Sequence, residues 1–140
     1  ATGKKARFLV DAATDLSLEN VTVLSERAET LGSPEGGGRF AWDVVTARAV
    51  GPMRVLLELA LPLVVEGGYL IAIKGERAGE EIEEAAKALR TLNATVEKTH
   101  RTPSGTIVVV RRDGPILKMY PRRPGEPSHS PIGAPARERR

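Results

Sequence analysis

The chain has 140 residues, 41% of them hydrophobic, enough for one core and one domain. With no cysteine it has no disulfide framework and no thiolate metal site, which points to a reducing, cytoplasmic compartment; no apolar run reaches the length of a membrane span and no signal sequence opens the chain. The net charge of +3 is uneven: eight Lys/Arg face three Asp/Glu between Arg111 and Arg140, leaving −2 on the rest, so a near-neutral body with a basic, proline-rich end predicts a polyanionic partner.

Ala6, Leu9, Ala13 and Leu16 recur at helical spacing, with Asn20 as the stop signal. Val21 to Leu24 reads as a short strand, Arg27 to Leu31 as one helical turn, and Gly32 to Gly38 as a flexible loop. Trp42 to Ala47 reads as a buried strand, with Trp42 in the core. Pro52 suits the first turn of a helix that runs through Leu56, Leu57, Leu59 and Leu63 and is closed by Pro62 and Gly67-Gly68. Tyr69 to Ile73 is a β-rich run ending at Lys74-Gly75. Glu80 to Leu92 is the clearest helix, its apolar face made by Ile82, Ala85, Ala86, Leu89 and Leu92. Its early glutamates read as a solvated face near the favourable end of the dipole. Ala94 to His100 and Thr106 to Arg111 are strands joined by the turn Pro103-Ser-Gly105.

Strands alternating with helices imply a parallel, doubly wound sheet, and two final strands joined by a tight turn must be antiparallel to each other. That α/β pattern fits a class I methyltransferase sheet better than a dinucleotide-binding oxidoreductase, which continues with helical crossovers. The domain boundary is expected after residue 112, with 113–140 a basic, proline-rich C-terminal tail. Proline fixes φ and lacks an N–H donor, so Tyr120 to Pro131 is expected to run extended over the surface, holding Arg122 and Arg123 outward.

Four stretches stand in order: A-T-G-K-K-A-R-F-L (Ala1 to Leu9), R-A-E (Arg27 to Glu29), W-D-V-V-T-A-R-A-V (Trp42 to Val50) and A-I-K-G-E-R (Ala72 to Arg77). Together with the closing Y-P-R-R-P-G, the chain resembles the RsmG (GidB) family of 16S rRNA guanine-N7 methyltransferases from Ala1 to about Pro131. The resemblance implies a Rossmann-like sheet in the strand order 3-2-1-4-5-7-6. It also implies that this chain begins after strand 2, without the family's N-terminal region and glycine-rich cofactor turn. Strand 3 and the edge of Trp42 to Ala47 would then lack their neighbours. The full-length form is expected to be a monomer, whereas the 140 residues alone are expected to self-associate, rearrange or stay partly molten.

The resemblance further implies S-adenosylmethionine as cofactor, and 16S rRNA or the small ribosomal subunit as partner, with the guanine numbered 527 in bacteria as target. It puts Ala1 and Thr2 beside the adenosine, Ala28 and Glu29 at the adenine edge, and Arg48 against the cofactor carboxylate or an RNA phosphate. Lys74, Arg77, Arg122 and Arg123 would form an RNA-binding basic rim. Guanine N7 carries a lone pair and no proton, so no general base and no catalytic side chain is expected; positioning does the work. His100 and His129 read as surface residues, and no metal constellation is visible. Taken without the resemblance, Glu29 reads as a first-turn helix carboxylate and Arg48 as a partner for Asp43. Two other readings stay open: a non-catalytic RNA-binding fragment, and a nucleotide-binding α/β domain of another chemistry.

Overall fold

The computed structural model describes residues 3–136; Ala1 and Thr2 lie outside them. In chain order the elements are α1 (Gly3–Asp15), α2 (Ala28–Leu31), β1 (Trp42–Arg48), α3 (Met53–Ala60), a 3-10 turn (Leu61–Leu63) and β2 (Val64–Lys74). They continue with α4 (Ala78–Glu84), α5 (Ala86–Thr91), β3 (Ala94–Thr102), β4 (Gly105–Arg112) and α6 (Glu126–His129). The four strands form one sheet in the order β1-β2-β4-β3. β1 and β2 are parallel, and β4 is antiparallel to both β2 and β3. This is the mixed α/β sheet with a terminal hairpin expected of a class I methyltransferase, and its order corresponds to strands 4-5-7-6 of that scheme.

Residues paired across a sheet share a face, so the register sorts the strands into two sides. Leu70, Ala72, Val108 and Val110 point to one side and are fully buried. α3 covers them with Met53, Leu56, Leu57 and Ala60, and α4 and α5 add Ala78, Ala85, Ala88 and Leu92. Each fully buried Leu in such a cluster contributes about 2 kcal/mol by removal of apolar area from water. On the opposite face Val44 and Ile73 are about half exposed, so the helices cover only one side of the sheet.

Several expectations are corrected, while the missing neighbours of Val21 to Leu24 and of the β1 edge among the described residues, and a first helix with no surface to cover, are as expected. Val21 to Leu24 forms no strand; among the described residues no strand lies beside it to take its hydrogen bonds. Trp42 is 40% exposed, because β1 is an edge strand and its side chain rests on the surface over Gly38. α1 buries no residue, and Phe8 on it is 69% exposed. β2 is longer than Tyr69 to Ile73: Pro62 falls in the 3-10 turn, and Gly68 lies too close to the Asp43 carbonyl to carry a side chain. The helix expected over Glu80 to Leu92 is broken at Ala85, where ψ is near 3°.

The largest correction concerns the C-terminal segment, which is folded into the body rather than laid over the surface. Ile116, Ile132 and Ala134 are buried, Pro121 follows a cis peptide bond, and residues 126–129 form α6. The sequence offers this segment two buried acids, Glu29, which accepts the Gly125 backbone N–H at 3.0 Å, and Glu58. Glu58 on α3 is fully buried; its carboxylate accepts from the Arg122 backbone N–H at 2.9 Å, from Nε at 3.0 Å and from Nη2 at 2.7 Å. Arg122 Nη2 also donates to the Ser130 carbonyl at 2.8 Å. Arg39 adds a third tie, donating to the carbonyls of Ile116, Leu117 and Tyr120. Its guanidinium lies 4.4 Å from the centre of the Phe40 ring, which also receives Arg112 at 3.9 Å. Arg122 therefore points inward, because a buried carboxylate without a partner would be costly. Arg123 alone of the pair stays outside, with 93% of its side chain exposed.

Arg122→Ala is expected to lower the unfolding free energy by about 3 kcal/mol, since it strands a buried charge, whereas Arg123→Ala should change it by less than about 0.5 kcal/mol. Urea unfolding of the two variants measures the difference; equal small losses would show that the Glu58 contact does not hold the segment.

Candidate functional site

A parallel pair delivers the carboxyl ends of both strands to one edge, where open α/β sheets bind ligands. β1 ends at Arg48 and β2 at Lys74, and α3 begins just beyond, after Gly51 and Pro52. Together they border an open cavity of about 830 Å3 whose charged lining comprises Arg48, Arg54, Lys74, Arg77, Glu81 and Glu84. Four cations and two carboxylates leave it with a positive excess. Thr102 and Ser104, at the tip of the β3–β4 hairpin, close one side.

The charged groups differ in how firmly they are held. Lys74 Nζ donates to the Gly51 carbonyl at 2.6 Å and pairs with Glu81 at 2.9 Å, and only 10% of its side chain is exposed. The same Glu81 oxygen accepts the Met53 backbone N–H at 2.9 Å, so Glu81 ties the start of α3 to the end of β2. This corrects the reading of the early α4 glutamates as a merely solvated face. Arg77 is exposed and pairs with Glu80 at 2.9 Å. Arg48 is exposed at the rim and makes no ion pair among the described residues. The Asp43 partner weighed for it is absent, because five residues along a strand separate the two.

The expected site residues therefore divide. Arg48, Lys74 and Arg77 come together around one cavity. Ala28 and Glu29 do not line it. Glu29 is 4% exposed, and a single oxygen accepts both from Arg27 at 2.8 Å and from the Gly125 backbone N–H at 3.0 Å. Arg122 is held on Glu58 and borders a separate small cavity beside Lys87. Arg123 is exposed on the C-terminal segment. Arg54 was not singled out from sequence: it stands inside an amphipathic helix, and only its place in the first turn, two residues past Pro52 at the strand-to-helix corner, marks it. Neither histidine lines the cavity, and no group of three or more His, Asp or Glu that could hold a metal occurs among the described residues. No helix among them is long and apolar enough to cross a membrane.

Basic side chains thus converge at the carboxyl ends of the parallel strands of a one-sided α/β sheet. The family of rRNA small subunit methyltransferase G (GidB) matches over residues 1–108, and the chain belongs to that family. A ribosomal RNA small subunit methyltransferase G from Sorangium cellulosum is 46% identical over 123 residues, covering 88% of this chain and 51% of the relative. One from Bacillus licheniformis is 40% identical over 135 residues, covering 92% and 56%. The chain thus spans about half the length of the curated relatives it matches.

Glu29 gives the fold a pH dependence. Burial opposes its ionised form, but the hydrogen bonds from Arg27 and from the Gly125 N–H outweigh it and hold its pKa below the ordinary carboxylate value. Its contribution to stability is therefore present above that ordinary value, near 4.3, and is lost as pH falls through the depressed one. Glu29→Gln should be less stable than wild type at neutral pH, and the gap should close below about pH 4. Urea midpoints measured across that range decide it; a gap independent of pH would contradict the tie.

Proposed function

We propose that this chain is the part of a small-subunit rRNA methyltransferase that grips the RNA and frames the methyl-acceptor side of the reaction. The product is a methyl group on N7 of a guanine in 16S rRNA, the one numbered 527 in bacteria, made in the cytoplasm. The observation that carries the reading is the convergence of Arg48, Lys74 and Arg77 at the carboxyl ends of β1 and β2 in a member of this family. S-adenosylmethionine, when bound, supplies an electrophilic methyl on a sulfonium. Because N7 has a free lone pair, the side chains around the cavity need not remove a proton. Their work is to orient the base and neutralise phosphate charge.

The residues present fit the cofactor only in part. Arg48 is open to its carboxylate or to an RNA phosphate, whereas Glu29 is engaged by Arg27 and Gly125, and Ala28 stands beside it away from the cavity. A complete cofactor site draws on the remaining length that the relatives possess, and Ala1 and Thr2 belong to that side of the proposal. Of the arginine pair, Arg123 is the one placed to meet phosphate; Arg122 acts indirectly, by fixing the segment that presents it.

At the length of its relatives, the protein should methylate small-subunit rRNA at that guanine, as read by mass mapping of the modified RNA. Arg48→Ala should lower turnover at least tenfold without changing thermal stability. Methylation elsewhere, or none, would overturn the assignment. RNA binding by that protein with no methyl transfer would favour a purely RNA-binding role.

A further inference from the structure

The hairpin of β3 and β4 carries a cation that the site described so far does not use. Lys74 pairs with Thr106 across β2 and β4, and Thr106 pairs with Arg101 across β4 and β3. The three residues form one cross-strand row on one face, which sets the Arg101 backbone about 10 Å from that of Lys74, two strand spacings away. Arg101 is exposed and makes no ion pair among the described residues. Its neighbours at the hairpin tip, Thr102 and Ser104, line the same cavity as Lys74 and bring hydroxyl donors.

The tip is held there by backbone contact. A Cβ on Gly105 would collide with the Lys74 carbonyl oxygen and come within 3.1 Å of the Gly75 Cα, so the tip sits directly on the end of β2. The distribution of partners gives Arg101 its meaning. Lys74 and Arg77 are matched to Glu81 and Glu80, whereas Arg48 and Arg101, on opposite edges of the sheet, have no carboxylate partner among the described residues. A mononucleotide in the cavity would need a cation at one margin. A chain of phosphates crossing the cavity needs one at each.

We propose that Arg101, with the Thr102 and Ser104 hydroxyls, is a second phosphate-binding point. A single-stranded RNA backbone then crosses the strand ends from the Arg48 edge to the hairpin tip, with the target base turned into the cavity between them. The proposal rests on the RNA reading above and adds to it the path of the strand and the requirement for a polynucleotide. Arg101 is a positioning residue: it holds backbone and touches no reacting atom.

The test uses the full chain and a short fluorescent single-stranded oligoribonucleotide, with affinity measured over a series of salt concentrations. Arg101→Ala should weaken binding severalfold and reduce the slope of log affinity against log salt by about 0.7, the value for one phosphate contact on a single strand. Arg101→Lys should restore most of the slope, and guanosine monophosphate should bind wild type and Arg101→Ala alike. If Arg48→Ala lowers the slope and Arg101→Ala does not, the strand path is wrong while the RNA reading stands. If the wild-type chain shows no salt-dependent RNA binding at all, both fall together.

Discussion

Everything at the candidate site follows from β1 and β2 running parallel. A parallel pair cannot be joined by a tight turn, so the chain must cross over, and α3 with its 3-10 turn is that crossover. The crossover brings the ends of β1 and β2 and the start of α3 to one edge. Arg48, Lys74 and Arg54 are neighbours for that reason and not because of their spacing in sequence. Antiparallel pairing of the same two strands would have sent Arg48 and Lys74 to opposite ends of the sheet.

Charge inside the fold is then divided between structure and ligand. Glu81 is spent on Lys74 and on the first free N–H of α3, Glu58 on Arg122, and Glu29 on Arg27 and Gly125. Two of these three acids hold the C-terminal segment against α2 and α3, so a stretch rich in proline and poor in regular hydrogen bonding still has a set position. At the rim Arg48 and Arg101 make no ion pair among the described residues, and Arg123 is nearly free on the docked segment. Such a surface attracts an anion at long range.

The elements that could be read from sequence were those whose pattern is local. The buried stripe of α3, the β-rich run into Lys74 and the hairpin turn at Pro103 to Gly105 all came from periodicity and turn chemistry, and the mixed sheet followed from their order. The cluster of Arg48, Lys74 and Arg77 was legible for the same reason, since each closes or follows a strand. The misreading of the C-terminal segment depends on distant partners. Arg122 looked like a solvated tail residue because nothing near it in sequence announces Glu58, 64 residues earlier. Glu29 accepts from Gly125, 96 residues away, a tie that nothing near it in sequence announces. Val21 to Leu24 has strand composition, and its neighbour was expected to be missing; a strand exists only where a neighbour takes its hydrogen bonds, and among the described residues it has none.

The central claim is that the carboxyl edge of β1 and β2, closed by the hairpin tip, is where the RNA sits. Amide hydrogen exchange of the chain with and without a single-stranded oligoribonucleotide tests it directly. The account predicts slowed exchange at Arg48 to Gly51, Lys74 to Arg77 and Thr102 to Gly105, with little change at the opposite end of the sheet around Val64 and Arg112. Protection confined to that opposite end, or to α1, would contradict it.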